Sequence, residues 1–163
     1  MDYHIRKVRD TDASGIISLF NYYIEHGFAA YPEQRLDEKM FFMFREVVNE
    51  YPFYVIEAKN NQVIGFGFLH RYNPFEMFNR VAEVTYFIHP DYTGKGLGTV
   101  LLNRLIEDAK KMNIETLLAN ISSKNEVSIE FHKKNGFKEC GRFVKIGKKH
   151  GEEFDVVWMQ RVI

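Results

Sequence analysis

A chain of 163 residues with 45% hydrophobic and 15% aromatic side chains can fill one compact core and is too short for two ordinary domains, so a single domain over 1–163 is expected. Lys plus Arg (22) balance Asp plus Glu (22), which disfavours a nucleic-acid partner held on a broad cationic face, and the 15 Phe and 9 Tyr exclude intrinsic disorder. No run approaches the roughly 18 to 20 apolar residues that cross a bilayer, the N-terminus has no secretory apolar core, and one cysteine makes no internal disulfide; no membrane partner and a cytoplasmic location are expected.

Alternating apolar residues from Tyr3 to Val8 read as a strand. Asp10, Thr11 and Asp12 then offer capping oxygens to a helix bearing Ile16, Ile17, Leu19, Phe20, Tyr23 and Ile24, with Gly27 as its stop. After a loop through Tyr31 and Pro32, a second amphipathic helix is predicted from about Asp37 to Asn49, presenting Met40, Phe41, Phe44, Val47 and Val48. Phe53–Ala58 and Val63–Leu69, joined by Asn60-Asn61, form a hairpin, and a linker from Tyr72 to Arg80 leads to a strand over Val81–Ile88. A glycine loop follows, then a helix burying Val100, Leu101, Leu102, Leu105, Ile106 and Ala109. Thr116–Ile121 reads as a strand, Asn125–Asn135 as a helix stopped by Gly136, and Phe137–Val162 as two strands joined near Gly147–Gly151. The order βααβββαβαββ predicts an α/β fold: a mostly antiparallel, twisted sheet of about seven strands with helices on both faces. Cys140, in a strand-like run, is expected as a small packed hydrophobe.

Gly94, Gly96 and Gly98 precede the third long helix in Asp91-Tyr-Thr-Gly-Lys-Gly-Leu-Gly98. Alternating glycines let the backbone turn its amides toward one point, to which the helix adds unpaired N–H donors and its positive dipole end; such a loop suits phosphate. The spacing is neither GxxxxGK followed by Ser or Thr nor GxGxxG after the first strand of a βαβ unit, so a nucleotide triphosphatase loop and a dinucleotide fold are both set aside.

The run Glu83-Val-Thr-Tyr-Phe-Ile-His-Pro-Asp-Tyr-Thr-Gly-Lys-Gly-Leu-Gly98, with its helix, resembles the acetyl-CoA motif of the GCN5-related N-acetyltransferases (GNAT). Asn125-x-x-Ser128-x-x-x-His132-x-x-x-Gly136-Phe137 resembles that family's second cofactor motif. Tyr51-Pro52-Phe53, Glu83, Lys149-His150-Gly151 and Asp155-Val156 are similar to the phosphinothricin acetyltransferase-like branch across almost the whole chain. The resemblance implies acetyl-CoA as co-substrate, a small primary amine as acceptor, with an amino acid or amino-acid analogue among the options, and a homodimer. It further implies pantetheine pairing along Tyr86, Phe87 and Ile88, pyrophosphate at Gly94, Lys95, Gly96, Leu97, Gly98 and Thr99, and an arm contact from Asn125. Two departures stand out. Thr93 replaces the usual Gln or Arg at the head of the loop, and Phe75 and Phe78 occupy the linker positions where amino-acid-acetylating members tend to carry Arg and Tyr.

Acetyl transfer to an amine needs the ammonium deprotonated, the carbonyl polarised and the leaving thiolate protonated. Glu83, early in the strand that leads to the glycine loop, is the candidate base. His132 stands where the resemblance places a Tyr that protonates the thiolate, and an imidazole can serve when protonated or hydrogen-bond the sulfur when neutral. Tyr31, Phe75, Phe78 and His150 are candidates for the acceptor pocket, with Asp155 near it. His4, His26, His70 and His89 show no paired ligand spacing, and no metal is expected. Two other functions stay open: a non-catalytic acyl-CoA-binding or sensing module, and acetylation of a protein N-terminus or lysine.

Overall fold

The computed structural model describes residues 2–163. Its elements follow the expected order: β1 (Tyr3–Lys7), α1 (Ala13–Glu25), α2 (Met40–Val48), β2 (Phe53–Ala58), β3 (Val63–Arg71), β4 (Val81–Ile88), α3 (Leu97–Lys111), β5 (Thr116–Ser122), α4 (Glu126–Lys134), β6 (Lys138–Lys149) and β7 (Glu152–Val162). All seven strands join one sheet in the order β1-β2-β3-β4-β5-β7-β6, antiparallel except between β4 and β5.

Helices cover both faces, and this explains why β2 reads Phe-Tyr-Val-Ile-Glu-Ala without polar alternation: every residue in it is buried. Phe53 and Val55 pack with Ile16, Phe41, Phe66 and Phe68 under α1 and α2. Tyr54 and Ile56 point the other way, toward Leu101, Leu105 and Ala109 of α3. Burying one such side chain stabilises the fold by roughly 1.5 to 3 kcal/mol, so these two layers dominate its energetics.

Four local expectations are corrected. Val100 is exposed, because Leu101, Leu105 and Ala109 define the inward stripe and Val100 shares the outward face with Arg104 and Glu107. Val47 on α2 is exposed for the same reason. Cys140 is exposed as well, since β6 is the edge strand. Asp12 does not cap α1 through its side chain. Its carboxylate accepts from the Arg9 amide at 2.7 Å and from both terminal nitrogens of Arg6 at 2.8 Å, while Arg6 Nε donates to Glu57 at 3.0 Å. The bidentate guanidinium contact is the stronger alternative and ties β1, the start of α1 and β2 together.

Candidate active site

β4 and β5 pair only at Val81–Thr116, Ala82–Leu117 and Glu83–Leu118. Beyond Glu83 they diverge, while β3 stays paired to β4 as far as Ile88 and β7 to β5 as far as Ser122. The split opens a cleft of about 800 Å³ lined by Val84–Ile88 on one wall, Ala119–Ser122 on the other, and segments of α1, α4 and the glycine loop. The His89 amide bonds to the Ile64 carbonyl, so backbone groups of 89, 87 and 85 face β3 and those of 88 and 86 face the split. Tyr86 and Ile88 therefore present free strand edge, with the Ile88 carbonyl already accepting from the Tyr23 hydroxyl. Phe87 does not present its backbone as the sequence reading supposed: its amide and carbonyl face β3, and its side chain packs against Phe20 and Tyr23.

At the mouth of the cleft, Gly94 (φ +71°) and Gly96 (φ +81°) take left-handed conformations that L side chains rarely adopt. Val100 is the first amide to bond in the helical manner, to Gly96 O at 3.1 Å. Among the described residues, the amides of Gly94 through Thr99 have no protein acceptor, which leaves six successive donors beside the positive end of α3. Gly98 has a different task. A Cβ there would lie 3.0 Å from the Phe131 ring, so this glycine lets α4 approach α3. Thr93 Oγ1 donates to Pro90 O at 2.9 Å and Lys95 Nζ to Asp91 O at 2.8 Å, both fastening the loop itself.

Glu83 stands at the vertex, the last residue before the strands part. Its Oε1 accepts from Asn120 Nδ2 at 3.4 Å, Asn120 Oδ1 accepts from the Tyr31 hydroxyl at 2.9 Å, and His70 Nε2 stands 3.4 Å from Oε2. Burial raises the carboxyl above its ordinary range, opposed by His70 and by the Asn120 hydrogen bond. Tyr31 is pushed up to about 12 by burial and by the Glu83 charge, so it is a neutral donor. A carboxylate moved toward neutrality and hydrogen-bonded to Asn120, which lines the cleft, is suited to take a proton from an ammonium.

The acetyltransferase (GNAT) family model matches residues 16–137. The chain belongs to that family. L-amino acid N-acyltransferase MnaT of Escherichia coli (strain K12) is 30% identical over 96% of this chain and 91% of its own length. A GNAT superfamily phosphinothricin acetyltransferase from Sinorhizobium meliloti, solved in complex with AcCoA, superposes at a TM-score of 0.92 with 26% identity, over 100% of this chain and 89% of that one. A ribosomal-protein-alanine N-acetyltransferase from Brucella melitensis gives 0.90 with 30% identity, over 98% and 99%. Within the GNAT family the chain is of the phosphinothricin acetyltransferase-like branch.

In this GNAT chain the second sequence candidate, His132, is buried. Its Nδ1 lies 2.6 Å from the Ser128 carbonyl and donates to it, and its Nε2 accepts from the Tyr86 hydroxyl at 2.5 Å. Burial lowers it to about 4, the Ser128 bond opposing, so at neutral pH it is the uncharged imidazole with both nitrogens engaged. Tyr86, raised well above its usual range by burial, stacks on it with centroids 5.5 Å apart. Neither role expected of His132 fits these surroundings: it is not a positively charged proton donor, and with both nitrogens engaged it has none free to hydrogen-bond a sulfur; a neutral ring that orients Tyr86 fits instead.

Asn125 lines the cleft while its Oδ1 caps α4 through the Ser128 amide at 3.3 Å. Tyr31 also lines the cleft. Phe75, Phe78 and His150 are not brought to it: Phe75 is exposed, Phe78 packs edge-on against Tyr72, and His150 sits at the β6–β7 turn with its amide on Glu33 Oε1 at 2.8 Å. Asp155 is held inside the β6–β7 hairpin by Arg142 at 2.8 Å and the Lys145 amide at 2.6 Å. Among the described residues no three His, Cys, Asp or Glu are grouped to hold a metal ion.

The contacts of three residues are not legible in the sequence. His70 and Asn120 reach Glu83 only through strand pairing, across β3–β4 and from β5. Lys149 is 1% exposed, and its Nζ donates to the carbonyls of Ile24 (2.7 Å), Gly27 (2.7 Å) and Ala30 (2.8 Å). Three N–H donors on three acceptors match an ammonium, although burial lowers its proton affinity. A lysine in a Lys-Lys-His turn gives no sequence signal for burial.

Proposed function

We propose that this chain is an acetyl-CoA-dependent N-acetyltransferase in which the amine of a small, amino-acid-sized acceptor attacks the thioester directly, within one catalytic domain. The observation that carries the reading is the split of β4 from β5, with a carboxylate at its vertex and six open amides at its mouth. Those amides and the α3 terminus fit a pyrophosphate, and the free edge at Tyr86 and Ile88 fits the amides of a pantetheine arm. When bound, acetyl-CoA supplies an activated acyl carbonyl and a thiol leaving group. Glu83 takes the proton from the incoming ammonium, Asn120 and Tyr31 fix its orientation, and His70 lies behind it. The exposed Cys140 on the edge strand is remote from the Glu83 vertex in the fold, which supports direct attack over a covalent enzyme step.

The experiment pairs isothermal calorimetry with acetyl-CoA and CoA-thiol release in the presence of amines. Saturable binding with turnover supports the reading; binding without turnover on any amine moves the chain to an acyl-CoA-binding module; no binding overturns both. The name of the Brucella melitensis neighbour supports a second reading, a protein N-terminus as acceptor. Acetylation of an Ala-initiated peptide in preference to free amines would establish it.

We infer a homodimer, supported by exposed Phe42 and Met43 on α2 and Phe143, Val144 and Ile146 on β6, and checked by light scattering. No helix among the described residues is long and apolar enough to cross a membrane. The exposed lone thiol fits a reducing compartment, which supports a cytoplasmic location.

A further inference from the structure

Side chains on β4 alternate, and the two faces of the split differ in character. Even residues turn toward α3 and α4, where Tyr86 meets His132 and Val84 joins the core. Odd residues turn toward α1 and α2, where Thr85 and Phe87 line the side of the cleft walled by Phe20, Tyr23 and Tyr31, and Glu83 is joined to it through Asn120, which lines the cleft and donates to Oε1 at 3.4 Å. The aromatic wall is closely built: Phe87 lies 5.2 Å from Phe20 and 5.3 Å from Tyr23 between centroids, and Tyr31 is stacked on Phe154 at 5.7 Å.

Charge on this side is one-signed. Glu83 supplies a carboxylate, and among the described residues no Lys or Arg pairs with it; its neighbour is His70, with Nε2 at 3.4 Å. Among the described residues the only Lys or Arg lining the cleft is Lys134, on α4 one turn past Phe131 and therefore toward the glycine loop. Other basic residues are engaged elsewhere: Arg35, between α1 and α2, with Glu25, Arg45 of α2 with Asp10, Lys149 with three carbonyls, Lys124 with Glu152, and Arg80 with Glu115 at 3.0 Å. Arg71 lines a separate hollow with Glu46, Tyr51 and Met112.

An ammonium entering here meets a carboxylate and ring faces, both of which favour it. An α-carboxylate two bonds from that nitrogen would be held beside Glu83 in an aromatic pocket with no cationic partner among the described residues, which is strongly unfavourable. We propose that the acceptor is a primary monoamine with an aromatic or aliphatic body and no carboxylate. This rests on the N-acetyltransferase reading and narrows its substrate class.

A matched set tests it: 2-phenylethylamine, L-phenylalaninamide and L-phenylalanine, with L-methionine sulfone as a second amino acid, each followed by thiol release and by mass of the N-acetyl product. The expected result is kcat/KM at least about 100-fold higher for the amine and the amide than for L-phenylalanine. Equal or better turnover of either amino acid overturns the proposal. So does failure of all four acceptors in protein that binds acetyl-CoA by calorimetry, an outcome that leaves the cofactor site standing. Loss of acetyl-CoA binding overturns the underlying reading instead, so the two failures are distinguishable.

Discussion

Glu83 owes its character to its place more than to its residue type. The same carboxylate on an exposed strand would titrate normally; at the vertex, burial raises it and His70 and Asn120 only partly restore it. Because a base must be deprotonated, the acid limb of kcat/KM is expected above the ordinary carboxylate range. Glu83→Gln should remove that limb and lower kcat/KM by roughly 10²- to 10⁴-fold, with the acetyl-CoA dissociation constant changed less than threefold by calorimetry. His132 yields a stability prediction. Its folded value of about 4 lies below the ordinary histidine value of 6.5, so the unfolded chain binds more protons between those pH values. The stabilisation is complete above 6.5 and is lost as pH falls toward 4, about 3 kcal/mol in all. Urea midpoints of the wild type should fall more steeply between pH 7 and 4.5 than those of His132→Gln. The sequence marked both residues; the role proposed for Glu83 is the one expected from it, and that proposed for His132 is not. What neutralises His132 is its burial, against the opposing bond to a carbonyl one turn back, in a setting that includes a tyrosine 46 positions away in the chain.

At the scale of elements, the boundaries were readable because their punctuation is local: Gly27 and Gly136 follow α1 and α4 with φ of +110° and +84°. The division of labour inside the glycine loop was not. Three identical letters at alternating positions hide two backbone requirements and one packing requirement, and only the approach of Phe131 separates them. Gly96→Ala should strain the left-handed position by about 1 to 2 kcal/mol and weaken acetyl-CoA binding, read by calorimetry, with little change in acceptor KM. Gly98→Ala should act first on α3–α4 packing, lowering the melting temperature, because its Cβ meets a ring and not the amide row. The break in the β4–β5 ladder has no signature in either strand, since both keep unbroken β-type sequences past the point where they part.

For the whole molecule, Lys149 joins the last hairpin to the segment between α1 and α2, and that segment carries Tyr31 to Asn120. Phe154 supports the same segment from β7, stacked on Tyr31 and packed against Phe28. Replacing Lys149 by Met would leave three carbonyls without their donor and cost roughly 3 kcal/mol or more. The expected result is a clear fall in melting temperature and a rise in acceptor KM that exceeds any rise in acetyl-CoA KM. Such a link between chain ends more than a hundred residues apart cannot be read from periodicity, which reports only on neighbours along one element.

The wall proposed for the cofactor is main chain at Tyr86 and Ile88, and this bears on how the gene would tolerate change. Ile88 turns its N–H into the split, where no protein group requires it, so proline there should leave a folded, nearly native protein that no longer grips the pantetheine arm. A saturation screen scored once for abundance and once for acetylation would then find a codon permissive to most apolar replacements in both assays and intolerant of an imino acid in the second alone.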